Sequence, residues 1–147
     1  MIFTDFSYEI LIQLILAVIL GAVIGFERTV SGKAAGLRTY ALVTLGSTIF
    51  TILSRLAFRP DVLNNQFDPT RIAAQIVVGI GFIGAGLIVI KEQKLQGLTT
   101  AAGLWTAAAV GMAIGAKFYF TALSSVFLIV LILAILRWAR IEERFSK

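Results

Sequence analysis

The chain has 147 residues, 59% hydrophobic and 14% charged, with a net charge of +5 and a mean hydropathy of +0.93. A soluble domain is about 45–50% apolar and about 25% charged, so this composition belongs to a small, single-domain integral membrane protein. The absence of cysteine and histidine excludes disulfides, thiol catalysis, Cys/His zinc sites and imidazole proton relays. The basic residues stand at segment ends rather than in one patch, which argues against nucleic acid as a partner.

The N-terminal MIFTDFSYE carries Asp5 and Glu9 but no Lys or Arg, and so lacks the basic region of a secretory signal. Five apolar segments follow. The first runs from about Ile10 to Phe26 and ends at Glu27-Arg28; the second runs from about Arg38 to Leu53, with Arg55 placed to snorkel. The third is Ile72–Ile90, ended by KEQK; the fourth is Leu98–Ala116; the fifth is Phe118–Leu136, ended by Arg137, Trp138 and Arg140. Each approaches the roughly 20 apolar residues that cross a bilayer core of roughly 30 Å. With their end turns, the predicted helices cover about residues 10–27, 37–57, 70–91, 98–116 and 118–140. Segments four and five are parted only by Lys117. As one helix they would reach roughly 58 Å, about twice the membrane, so a tight hairpin is expected near Gly115-Ala116-Lys117.

The fold class predicted is an all-α integral membrane protein, a compact bundle of five transmembrane helices. With the N-terminus out and the C-terminus in, nine basic residues (Arg28, Lys33, Arg38, Lys91, Lys94, Arg137, Arg140, Arg144, Lys147) fall inside. Four (Arg55, Arg59, Arg71, Lys117) fall outside, as the positive-inside rule favours. Phe118, Tyr119 and Phe120 would mark the outer interface and Trp138 the inner one.

Segment one holds Gly21 and Gly25 in a GxxxG pattern, read either as a dimerisation face or as close packing within the chain. Segment two places Thr44, Ser47, Thr48 and Thr51 on one stripe, which either lines a path for an ion or polar solute or bonds back to helix carbonyls. Segment three opens on Asp68 as N-cap and Pro69 at the first helical position, with Arg71 and Gln75 one turn apart. Its Gly79, Gly81, Gly84 and Gly86 offer a smooth surface for a neighbour, and this helix is expected at the centre of the bundle. The formal GxGxxG at Gly79–Gly84 is rejected as a dinucleotide site, since no strand precedes it and no acid is placed for ribose. Segment four, with Gly111 and Gly115, carries small residues on every face and so suits an enclosed position. Thr99 and Thr100 are candidate caps after Gly97. Segment five is bulky and aliphatic and suits lipid or a partner subunit. No charge lies near the middle of a span, which speaks against a buried carboxylate relay. The edge charges Glu27, Arg28 and Arg38, near Thr99 and Thr100, would either bind an ion, phosphate or partner helix, or fix helix ends.

Together, GAVIGFER (Gly21–Arg28), AGLRTYALVTLGS (Ala35–Ser47), DPTRIAAQIVVGIGFIGAG (Asp68–Gly86) and GLTTAAGLWTAAAVGMAIG (Gly97–Gly115) resemble the MgtC/SapB family of bacterial membrane proteins. The resemblance spans the first four segments in order. It implies a multi-pass protein of the bacterial inner (plasma) membrane, from a virulence-associated family linked to growth in low magnesium, survival inside macrophages and restraint of the F-type ATP synthase. Carried over by motif, the polar positions at issue are Glu27, Arg28, Arg38, Thr39, Asp68, Arg71, Gln75, Thr99 and Thr100. Many members have His where this chain has Tyr40, so a pH-sensing role does not carry over. The longer members' soluble C-terminal domain is not expected, leaving one transmembrane domain over 1–147.

The function expected is that of a non-enzymatic regulator acting through membrane-partner contacts in magnesium and stress adaptation. The alternative is a transporter or channel for Mg2+ or another small cation or polar solute. No cofactor is expected, Mg2+ is admitted as ligand or substrate, and no metal ligands are assigned. The expected partners are the lipid bilayer, a second copy in a homodimer or other homo-oligomer, and, by family analogy, the F-type ATP synthase.

Overall fold

Backbone polar groups in hydrocarbon must be bonded within their own segment, so apolar stretches of this length fold as helices. The computed structural model describes residues 2–56, 68, 70–91 and 93–138, with side chains described at 7–56, 68, 70–91 and 93–135. Its elements are α1 (Ile2–Val30), α2 (Leu37–Leu56), α3 (Thr70–Gly86), β1 (Val89–Lys91), β2 (Lys94–Gln96), α4 (Leu98–Gly115) and α5 (Tyr119–Trp138). Three helical stretches, Ser7–Val30, Leu37–Leu56 and Leu98–Gly115, are long and apolar enough to cross a membrane, while α3 and the described part of α5 are shorter apolar helices.

The centre of the bundle is α4, which packs against all four other helices. Its buried residues, among them Gly103, Leu104, Ala107, Val110, Gly111 and Ile114, line one broad face of the helix, while Ala102, Trp105 and Ala109 on the opposite face are exposed. Small side chains along that face let the neighbouring helices approach closely. The expectation that α3 holds the centre is therefore corrected. Helix α3 lies at the edge against α4 and α2, and only Ile80 and Gly84 of its residues are buried. Gly84 meets Ala101 in ordinary contact, but Gly79, Gly81 and Gly86 face open space. Their lack of side chains closes no interface among the described residues.

The third helix also stops earlier than residue 91. Leu87 and Ile88 donate their N–H groups to Gly84 and Ala85, tightening the last turn, after which the β-branched pair Val89-Ile90 favours extended backbone. An antiparallel ribbon follows, with Val89 opposite Gln96, Ile90 opposite Leu95 and Lys91 opposite Lys94. It closes at Gly97, whose φ is +94 and whose added Cβ would run into the Leu87 carbonyl oxygen. Only glycine fits there.

Between α4 and α5 the chain reverses at Ala116-Lys117. Lys117 takes φ +68, its N–H bonds to Ile114 O at 3.0 Å, and Phe118 N–H bonds to Ala113 O at 2.8 Å. This is the Schellman closure, here with lysine in the left-handed position. The Lys117 ammonium then reaches Glu9 at 2.6 Å, tying the start of α1 to this turn.

Candidate functional site

Three polar groupings emerge from the packing. The first begins where α1 meets α2. A Cβ on Gly21 would lie 2.6 Å from Thr44 Oγ1 and 2.7 Å from Tyr40 O, and one on Gly25 would lie 2.6 Å from Leu37 Cα. The GxxxG pair is thus used inside the chain, bringing two backbones together. One turn further along α1, Glu27 and Arg28 are buried, with Arg28 at only 2% exposure. Arg28 Nε donates to Glu27 Oε2 at 2.6 Å, and the Ser31 hydroxyl donates to Glu27 Oε1 at 2.6 Å. Arg28 Nη1 is buried without a hydrogen-bond partner. Tyr40, fully buried, lies against Gly103 and donates its hydroxyl to Thr100 O at 3.3 Å. Helices α1, α2 and α4 are thereby joined at one end.

The predicted cluster is only partly gathered there. Arg38 and Thr99 are exposed and Thr39 is half-buried. Thr100 contributes a carbonyl, and α4 starts at Gly97 with no side-chain cap, which corrects the expectation that Thr99 or Thr100 caps it. Gly97 closes against Leu87 instead, leaving the helix start to backbone geometry.

The second grouping is the hydroxyl stripe, which splits between two environments. Thr44 and Thr48 are fully buried. Thr44 Oγ1 bonds to Tyr40 O at 2.9 Å and Thr48 Oγ1 lies 2.9 Å from Thr44 O and 2.8 Å from Gly111 O. Thr51 bonds back to Ser47 O at 2.8 Å. Gly111 and Gly115 make this seam possible, since a Cβ on Gly111 would strike Thr44 O and one on Gly115 would lie 2.6 Å from Thr51 Cβ. Ser47 instead borders a groove of about 720 Å³ between α2 and α3, lined by Phe50, Gly46, Gln75, Gly79 and apolar neighbours.

The third lies at the Lys117 end of the bundle. Asp68 Oδ1 accepts the Thr70 N–H at 2.8 Å and the Thr70 hydroxyl at 2.7 Å, and these bonds hold its carboxyl below the usual range. Arg71 and Gln75 are exposed. Sequence reasoning missed Gln13. It is fully buried, donates Nε2 to Ile114 O at 2.6 Å, and leaves Oε1 unpartnered. Its signal was available, as the only polar side chain between Ile10 and Phe26.

Magnesium prefers a nearly octahedral shell of oxygens, commonly carboxylates and water. Among the described residues no three His, Cys, Asp or Glu side chains come together, and Glu9 and Glu27 each engage a cation.

The MgtC family profile matches residues 14–141. The protein named "Putative magnesium transporter YhiD" of Escherichia coli K12 is 52% identical over 114 residues, covering 76% of this chain and 53% of that protein. Protein SapB of Bacillus subtilis is 41% identical over 133 residues, 88% of this chain and 57% of SapB. Protein MgtC of Brucella abortus is 44% identical over 121 residues, 82% of this chain and 48% of that protein. The chain spans about half the length of the curated relatives it matches. No solved structure matches it. By its sequence and its apolar helices, this chain belongs to the MgtC family of membrane proteins.

Proposed function

We propose that the protein is a non-enzymatic inner-membrane regulator that works through contacts with other membrane components in magnesium and stress adaptation. The observation that carries this reading is the dry α2–α4 seam. Thr44 and Thr48 face the Ala107 and Gly111 carbonyls of α4 and neither is exposed. A hydrophilic route would need those hydroxyls wet, and hydroxyls bonded to helix carbonyls serve as interhelical glue. Interaction surface is available on α3, whose Gly79, Gly81 and Gly86 face open space, and along α5, where Leu123, Phe127 and Leu128 are exposed. A second copy in a homodimer, or another membrane protein such as the F-type ATP synthase by family analogy, is the partner we assign to these faces.

The second reading, transport of Mg2+ or another small cation, is favoured by the name carried by the E. coli relative. The groove beside Ser47 and Gln75 is the polar-edged space it would use.

Magnesium influx into proteoliposomes, followed with an internal fluorescent reporter, separates the two. Influx no greater than in empty liposomes, together with specific crosslinks from Cys introduced at Gly79 or Gly86 in native membranes, is expected. Saturable influx abolished by Thr48→Val would overturn the regulator reading.

A further inference from the structure

The ribbon between α3 and α4 is the one strand pair among the described residues. Side chains alternate across a strand, so the opposed pair Ile90 and Leu95 lies on one face and the opposed pair Lys91 and Lys94 on the other. All six strand residues are exposed, Ile90 at 76% and Leu95 at 55%. A lone two-stranded ribbon is marginal in water, and like charges set directly opposite each other weaken it further. The tip sequence KEQK supplies two lysines and one acid, Glu92, so positive charge prevails.

The root of the ribbon is nonetheless fixed. Leu87 and Ile88 bond back into α3, and Gly97 packs its backbone on the Leu87 carbonyl. Strand β1 begins three residues after α3 ends, and α4 begins two residues after β2 ends. Two apolar helices therefore hold the ribbon at a membrane boundary. Arg28, Lys33 and Arg38 share that end through the α1–α2 turn, the end that the basic residues direct to the cytoplasmic leaflet and its anionic lipids.

We propose that the β1–β2 ribbon binds anionic phospholipid. Ile90 and Leu95 sink into the apolar edge of the bilayer, while Lys91 and Lys94 snorkel to lipid phosphates. The phosphates relieve the opposition of the two ammonium groups, and the acyl boundary covers the apolar pair that no described element of the protein covers. Continuity with the spanning helices favours lipid over a soluble acidic protein, because the ribbon cannot leave the surface. The inference rests on the chain being a membrane protein and stands apart from whether it regulates or transports.

The chain contains no cysteine, so Leu95→Cys gives a unique spin-label position. The labelled full chain is placed in nanodiscs of phosphatidylcholine alone or mixed with phosphatidylglycerol. Its relaxation by oxygen and by a water-soluble nickel chelate is then compared. With phosphatidylglycerol, nickel access is expected to fall several-fold and oxygen access to rise, and Lys91→Gln with Lys94→Gln is expected to remove the lipid dependence. Ile90→Cys reports on the same face should Leu95→Cys fail to fold. Equal nickel access in both lipids, or a lipid dependence that survives loss of both lysines, overturns the proposal. So does a label that becomes protected only when an acidic soluble protein is added. None of these readings depends on magnesium influx or on helix crosslinking.

Discussion

The Thr48 hydroxyl lies 2.8 Å from the Gly111 carbonyl, across a seam so close that a side chain on Gly111 would collide with the backbone of Thr44. Thr48 is fully buried, so its hydroxyl has protein partners only. Thr48→Val keeps the shape and removes the bonds to Gly111 and Thr44. Intramembrane hydrogen bonds of this kind average about 0.6 kcal/mol and reach about 1.7, and a loss of ~1 kcal/mol is expected. Reversible unfolding in mixed micelles measures it, and the same variant should leave ion flux into liposomes unchanged. A loss of flux without a loss of stability would contradict the packed-seam assignment.

Two glycines give opposite expectations for one chemical change. Gly111→Ala places its Cβ against Thr44 O and 2.9 Å from Ser47 Cβ, so α2 and α4 must separate, at a cost of about 1–3 kcal/mol. Gly79→Ala meets nothing within 4 Å and should leave the monomer unchanged or stabilise it by up to about 1 kcal/mol. If α3 docks a second copy through Gly79, the same substitution should weaken self-association while sparing the fold. Parallel melting and crosslinking of the two variants reads both effects.

What the sequence made legible and what it hid divide along physical lines. The apolar runs, the Asp68 cap and the reversal at Lys117 are local, and each is written in a few adjacent residues. The central contacts of α4 were readable in part from its Gly and Ala residues, but the expected enclosure on every face does not hold, since Ala102, Trp105 and Ala109 are exposed. The place of α3 was not readable. Four glycines in one helix say that something can come close, but not that anything does, and three of the four face open space here. The ribbon at residues 89–96 was hidden because Val89 and Ile90 extend an apolar run that reads equally as helix. In the candidate site, Glu27 and Arg28 were legible as edge charges of adjacent residues, but the Tyr40–Thr100 bond joins residues 60 apart. The hydroxyl stripe was visible as a stripe. Its division between a dry seam and a groove edge required the third helix to be placed.

Glu27 and Arg28 form a buried ion pair with an uncompensated guanidinium nitrogen. Removing one partner strands the other charge, which typically costs about 3–5 kcal/mol, whereas replacing both by apolar groups of similar size is often neutral. Glu27→Met alone should therefore destabilise strongly, and Glu27→Met with Arg28→Met should recover most of the loss. A double-mutant cycle by chemical unfolding measures the coupling. If the double variant is as unstable as Glu27→Met, Arg28 has a structural partner other than Glu27.

At the opposite end, Asp68 provides a pH test of α3 alone. Its carboxylate is held below the ordinary Asp value first by the Thr70 hydroxyl and then by the Thr70 N–H. Because the folded value is depressed, the capping contribution is fully present above the ordinary Asp value of 3.8. It is lost as pH falls through the lower, folded value. The Thr70 amide resonance of the labelled protein should therefore stay in its bonded position at pH 5 and move only at pH below about 4. Asp68→Asn should keep a bonded Thr70 amide with no pH dependence, since asparagine caps as well as aspartate. Asp68→Ala should show the unbonded position at every pH. A wild-type midpoint at or above the ordinary Asp value would mean that the carboxylate does not cap α3 in solution.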